Sequence, residues 1–280
     1  MLRTETLRVL RPEDLDEVTA LLARDPVTDV FVASRVQAAG LDPARLGGEL
    51  WAHVVDGRIE ALCHMGANVI PVHAGPDAVR AFAERARRQG RRCANIFGER
   101  DSVAGLWNEL EPSWGPARDV RDPQPLMSLS GAPKVAPDPA VRRVAIDEID
   151  VLLPASIAMF TEEVGVSPLG SDGGAAYRSG VASLVRQGRA FARIEDGKVI
   201  FKAEIGSVSD AACQVQGVWV PPELRGRGLA SPGMAAVAEM AMRDLAPVVS
   251  LYVNDFNDAA IATYRRVGFR QIGTFMSVLF

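Results

Sequence analysis

Two stretches of the chain alternate apolar and polar positions in the same way. Trp51-Ala52-His53-Val54-Val55-Asp56-Gly57-Arg58 matches Phe191-Ala192-Arg193-Ile194-Glu195-Asp196-Gly197-Lys198, and Gly66 matches Gly206 at the same offset of 140 residues. In each stretch Asp-Gly interrupts the alternation. A two-residue hairpin turn needs positive φ at both central positions, which favours Asp-Gly. The pattern predicts one hairpin in each half, both in a central sheet, and a duplicated fold.

The neighbouring elements keep the same order. Strand Leu7–Leu10 and helix Pro12–Leu22 open the first half; strand Val141–Val144 and a helix over Asp150–Val164 open the second. The first half continues with helix Pro76–Gln89, strand Arg92–Phe97, helix Ser102–Leu110 and strand Leu126–Ser130. In the second, Met234, Val237, Ala238, Ala241, Met242 and Leu245 recur at intervals of three and four, one buried helix face with methionine as filler. Strands 211–220 and 248–254 flank that helix. Between the halves, Ser130 to Pro139 holds three prolines in ten positions, the composition of an exposed connector. For 280 residues two domains fit better than one. The expected boundaries are 1–130, a linker over 131–139, and 140–280.

One loop stands out chemically. Val218-Trp219-Val220-Pro221-Pro222-Glu223-Leu224-Arg225-Gly226-Arg227-Gly228-Leu229-Ala230 runs from an apolar strand through an Arg/Gly turn onto a helix. Gly226 and Gly228 let the backbone approach a ligand closely, and the free amides of the first helical turn favour a pyrophosphate. A phosphate loop of the Walker type would need Gly-Lys-Ser/Thr, and no lysine lies near. A dinucleotide loop needs Gly-x-Gly-x-x-Gly; here the third glycine is Gly233, and no acidic residue closes a second strand about twenty positions on.

The spacing Arg-x-x-Gly-x-Ala at 225–230, after Val-x-Val-x-Pro, resembles the acyl-CoA loop of the Gcn5-related N-acetyltransferase (GNAT) superfamily. Leu251-Tyr252-Val253-Asn254-Asp255-Phe256-Asn257, followed by a helix with Tyr264 and then Gly268-Phe269, is similar to that superfamily's second signature. The resemblance implies an α/β fold, an α+β mixed sheet flanked by helices, as two tandem acyl-CoA N-acyltransferase-like domains. It implies that Val218 and Val220 meet the pantetheine arm and that the amides of Arg225, Gly226, Arg227, Gly228, Leu229 and Ala230 hold the pyrophosphate. Asn254 or Asn257 would touch the coenzyme, and Tyr264 would protonate the departing thiolate. Pro232 follows the loop, where a first helical turn tolerates it. The first half offers only Pro71-Val72-His73-Ala74-Gly75-Pro76 at the matching place and no Asn…Tyr…Gly-Phe run, so it reads as a degenerate, coenzyme-free copy.

Composition narrows the function further. Hydrophobic residues make up 48% and charged residues 24%, with a net charge of −4, the profile of a globular protein without a nucleic-acid partner. Only three of the 31 basic residues are lysines, which reads as genomic base-composition bias. Cys63, Cys93 and Cys213 are too scattered for a disulfide framework, and no His/Cys cluster suggests a metal. The expected compartment is the reducing cytoplasm. No stretch approaches the roughly 20 apolar residues that cross a bilayer, so no membrane role is expected.

Acetyl transfer from acetyl-CoA to an amine requires a neutral amine, a stabilised oxyanion and a protonated leaving thiolate. Glu204 is the first candidate base: strand alternation sets it opposite Ala203 and Ile205, either as the base or as a solvated edge residue. Glu162 and Glu163 compete, because the segment Gly165–Gly174 beside them could cover the acceptor. Gln214 and Gln216 stand where the family often has a carboxylate, which leaves a water chain or a non-catalytic acyl-CoA sensor as alternatives. Tyr264 shares the inward helix face of Ala260 and Ile261, as a core tyrosine or as the acid. A backbone amide near Val218 would meet the oxyanion if the two strands part at Gly217. Cys213 as an acyl carrier would give two steps, although a strand cysteine is usually a buried apolar residue. His53, His64 and His73, and the four tryptophans, read as packing or surface residues. The acceptor is a small-molecule amine or a peptide, and the oligomeric state is open.

Overall fold

The computed structural model describes residues 4–170 and 172–280. In chain order the first elements are β1 (Glu5–Val9), α1 (Leu15–Leu22), α2 (Val30–Ala39), α3 (Pro43–Leu46), β2 (Gly48–Val55), β3 (Arg58–Gly66) and β4 (Asn68–Val72). Then come α4 (Pro76–Gln89), β5 (Asn95–Glu99), α5 (Arg100–Trp114) and β6 (Asp119–Leu129). The later elements are β7 (Arg142–Arg143), α6 (Ile149–Val164), α7 (Ala175–Arg186), β8 (Ala190–Glu195), β9 (Lys198–Val208) and β10 (Ala212–Trp219). The chain ends with α8 (Ala230–Asp244), β11 (Val248–Tyr252), α9 (Asp258–Val267) and β12 (Arg270–Leu279).

These elements form two compact units. The first holds the chain up to Met127 together with Tyr252–Asn257 and Gln271–Phe280; the second holds Ser128–Leu251 and Asp258–Arg270. The sequence assigned all of 140–280 to one domain, and the last strand departs from that. β12 pairs antiparallel with β5, Phe275 opposite Glu99 through Leu279 opposite Asn95, and buries Met276 and Val278 among Trp51, Phe82, Ile96 and Leu106. Apolar burial, about 25 cal/mol per Å², draws the C-terminal strand into the first unit's core. The proline-rich segment is not a free connector either. Lys134 N–H donates to the Val267 carbonyl and Asp138 N–H to that of Pro232, and Asp138 pairs with Arg193 at 2.9 Å, all within the second unit.

In the first unit the strand order is β1-β2-β3-β4-β5-β12-β6. Helices α4 and α5 cover one face around Trp51; α1 and α2 cover the other around Leu62. Alternation along β2 sends Trp51 to one core and Leu50 and Ala52 to the other. In the second unit the order is β11-β10-β9-β8-β7, with Leu152, Val181 and Val185 of α6 and α7 packed on Ala190, Ala192 and Val199. The two hairpins join β2 to β3 and β8 to β9, with Asp56 and Asp196 both at φ 48° and Gly57 and Gly197 at 82° and 71°. Helices α2, α3 and α7 and strands β4 and β12 were not read from the pattern, whereas β7 lies within the strand expected over Val141–Val144. β6 begins at Asp119, seven residues before the strand expected from Leu126.

Candidate active site

The Arg/Gly loop leaves β10 through a single 3₁₀ turn, Pro222–Leu224. Arg225 is extended, Gly226 and Gly228 take φ of 74° and 78°, and α8 begins at Ala230. That left-handed backbone is open only to glycine without strain. Among the described residues no hydrogen bond engages the amides of Gly226 through Ala230, and no side chain caps the helix. A Cβ on Gly226 or Gly228 would meet nothing within 4 Å. The result is a row of unfilled N–H groups at the positive end of a 15-residue helix, the arrangement that binds phosphate oxygens.

β10 also opens beside its parallel neighbour. Its pairing with β11 runs from Ala212 opposite Val248 to Gln214 opposite Ser250 and ends there. On the other side it pairs with β9 as far as Gln216 opposite Glu204, then slips, so that Trp219 faces Lys202. The slip is made by Gly217, whose φ is 60°. Val218 and Val220 follow on the unpaired stretch, and the Val220 carbonyl accepts from Arg225 Nε at 3.0 Å.

Glu204 is not a solvated edge residue. It is 5% exposed, and its Oε1 lies 2.5 Å from the Nζ of Lys202, which is 0% exposed. A Cβ on Gly217 would stand 3.4 Å from Lys202 Nζ, 3.3 Å from Glu204 Oε2 and 3.0 Å from Met159 Cε. The ion pair therefore lies directly under the break in β10. The Tyr177 hydroxyl donates to the Ser156 carbonyl at 2.8 Å, and burial followed by the charge of Glu204 pushes its pKa up. Lys202 was missed in the sequence. Its signal was a lysine inside an apolar strand, two residues from Glu204 and so on the same strand face.

Glu162, at the end of α6, accepts from Arg225 at 2.7 Å and from Trp219 Nε1 at 3.3 Å. The Arg225 guanidinium holds its carboxyl below the usual range. Tyr264 is buried on the face of α9 with Ile261 and Val267, its ring 6.0 Å from that of Phe269. Burial, then the charge of Glu163, raises its pKa, which keeps the phenol protonated. Asn254 and Asn257 fall in the first unit. There the Asn254 side-chain oxygen accepts from Gln124 at 2.8 Å, Gln124 accepts from Ser277 at 2.7 Å, and Asn257 is exposed. Cys213 is fully buried, with its thiol pushed up to about 12 by burial, which suits packing rather than acyl transfer. Among the described residues no group of His, Cys, Asp or Glu could hold a metal ion, and no helix is long and apolar enough to cross a membrane.

Residues 175–269, which carry the break in β10, the loop and α9, match the family model described as "Acetyltransferase (GNAT) family". That stretch of the second half is thus similar to GNAT acetyltransferases. Residues 48–152 match a model described as a domain of unknown function, DUF4081. No curated protein matches the sequence. Among solved structures, the chain is similar to a Drosophila protein at 16% identity, 99% of each chain covered and a TM-score of 0.67. It is similar to a GCN5-related N-acetyltransferase from Sphaerobacter thermophilus at 18% identity, with 98% of this chain and 94% of that one covered and a TM-score of 0.58. It is also similar to a tandem GNAT protein from the clavulanic acid biosynthesis pathway at 14% identity, 99% and 98% covered, TM-score 0.55. At these identities the likeness is one of fold, and it runs over nearly the whole length of the chain.

Proposed function

We propose that the second unit transfers an acetyl group from acetyl-CoA to a primary amine by direct attack. The observation that carries this reading is the open amide row from Gly226 to Ala230, placed just beyond a strand whose pairing with β11 stops at Gln214. The amides of Gly226 to Ala230 would hold the pyrophosphate, that of Arg225 being already donated to the Pro222 carbonyl at 3.2 Å, and Val218 and Val220 would line the pantetheine arm. A backbone amide in the unpaired stretch near Val218 would meet the charge that develops on the thioester oxygen; one such donor is typically worth about 3 kcal/mol.

An alkyl amine has a pKa of about 10.4 and arrives protonated. Glu204 is the proposed acceptor of its proton. Oε1 is held by Lys202, and Oε2 lies beside Gly217. Tyr264, kept protonated by its surroundings, is the proposed donor to the leaving thiolate. The acceptor is a small amine or a peptide, and the three free, buried cysteines suit a cytoplasmic setting.

An amine panel with acetyl-CoA, read by thiol release, tests this reading. Transfer well above the hydrolytic background is expected for at least one amine. Acetyl-CoA binding with no release across the panel would instead assign the unit to sensing.

A further inference from the structure

Gln214 and Gln216 of β10 are set apart by their surroundings. β10 alternates regularly between them, so both face the side of the sheet that carries Glu204, which lies opposite Gln216. Gln216 is exposed, and its carboxamide fills the space where a side chain on Gly206 would stand. Gln214 is the last residue of β10 to pair with β11. It is 7% exposed, and its Nε2 has no hydrogen-bond partner among the described residues.

A second orphan comes from α6, which packs on this face. Met159 reaches the break at Gly217, and Ser156, one turn earlier on the same buried side of the helix, is 0% exposed. Its carbonyl accepts from Tyr177, but its Oγ has no partner among the described residues. Helical serines commonly turn the hydroxyl back to the carbonyl four residues earlier, and this one does not. A buried amide N–H and a buried hydroxyl without partners are costly, and such groups in folded proteins are normally satisfied. Both are donors, so the missing partner is an oxygen.

The charges around the break narrow the kind of oxygen. Lys202 is paired with Glu204 at 2.5 Å, and Arg225, beyond the break, with Glu162 at 2.7 Å. Lys202 and Arg225 thus already hold carboxylates, which suits a neutral oxygen rather than a further anion.

We propose that Gln214 and Ser156 are specificity-determining residues of the acceptor site, donating to the carbonyl oxygen of an amide that the acceptor carries beside its amine. This rests on the acetyl-transfer reading above and narrows the acceptor to an α-amino amide, the group shared by amino-acid amides and peptide N-termini.

Glycinamide and propylamine, compared by thiol release at saturating acetyl-CoA in wild type and Gln214→Met, test the proposal. Wild type is expected to favour glycinamide, and Gln214→Met to lose about tenfold of that preference, the worth of one buried hydrogen bond. Comparing the ratio across variants cancels the different basicity of the two amines. Without ligand, Gln214→Met should also melt about 2–4 °C higher, because it removes an unpaired donor. Ser156→Ala, expected to move both readouts in the same direction, decides the matter if Gln214→Met does not fold. Triglycinamide in the same assay separates a peptide from a small amide as the source of the group. An unchanged preference would overturn the proposal, and so would a lower Tm in the folded variants, which would mean that water or a side chain already satisfies these groups. No thiol release from any amine would bring down the transferase reading instead. Calorimetric titration of the CoA-saturated protein with glycinamide then still reads the carbonyl contact, and equal binding by wild type and Gln214→Met would overturn it.

Discussion

Lys202 and Glu204 form an ion pair of 2.5 Å that is almost wholly removed from water, at the point where β10 breaks its pairing. Removing one partner strands the other charge in an apolar interior. Lys202→Met is therefore expected to lose about 3–5 kcal/mol in urea unfolding, whereas the double variant Lys202→Met/Glu204→Leu recovers most of that loss. The double variant should fold and bind acetyl-CoA yet release no thiol. A folded double variant with wild-type turnover would remove Glu204 from the reaction.

Gly217 makes the break in β10. At φ 60° an L-residue is strained, and a Cβ there would press on Met159 Cε at 3.0 Å. Gly217→Ala is expected to cost about 1–2 kcal/mol, from the left-handed backbone alone. Because the added methyl also points at Glu204 Oε2 and Lys202 Nζ, turnover should fall more than stability does. Parallel unfolding and thiol-release measurements compare the two losses.

What the sequence made legible is what local backbone chemistry decides. Asp56-Gly57 and Asp196-Gly197 adopt the positive φ values that their turns require, and Gly226 and Gly228 do the same before α8. What the sequence did not report depends on partners far away in the chain. Asn254 is taken by Gln124, 130 residues distant, and β12 leaves its own half because Met276 and Val278 fill a core built from Trp51, Phe82 and Leu106. Glu204 stayed open between base and solvated edge residue because Lys202, although only two positions away, is buried beside α6 and Gly217 in a way that no periodicity reports. α2 reads Val30-Phe31-Val32-Ala33-Ser34, an apolar run too short to separate helix from strand.

Tyr264 is expected to act on the chemical step alone. Tyr264→Phe keeps the ring against Phe269 and α9 on its buried face. General acid catalysis is worth at least about 100-fold, so kcat should fall by that order while acetyl-CoA still raises Tm as in the wild type. Unchanged kcat would make Tyr264 a core residue only.

Glu148 gives a pH dependence with a definite sign. Two bonds from Arg142, at 2.7 and 2.6 Å, and one from the Ala145 amide hold its carboxyl at about 2, against an ordinary 4.5. A depressed folded pKa contributes stability above the unfolded value and loses it as pH falls from about 4.5 towards 2. Arg142 is half exposed, so solvent screening limits the contribution to about 1 kcal/mol. Glu148→Gln should thus lower stability by that amount at pH 7, with the difference from wild type closing below pH 4.5. Urea unfolding across this range measures it.

The placement of β12 makes a prediction about which unit depends on the end of the chain. Met276 is 5% exposed and packs in the core beneath α4 and α5, not in the second unit. Met276→Ala removes buried methylenes and leaves a cavity, a change that costs about 2–5 kcal/mol. Hydrogen exchange should then quicken in α4, α5 and β5, which share that core, and β5 also loses rigidity because β12 pairs along its length. The amides of α8 and β9, whose core contains neither Met276 nor Val278, should keep their protection. Faster exchange in α8 and β9 with α4 unchanged would place the strand's stabilising contacts in the wrong unit.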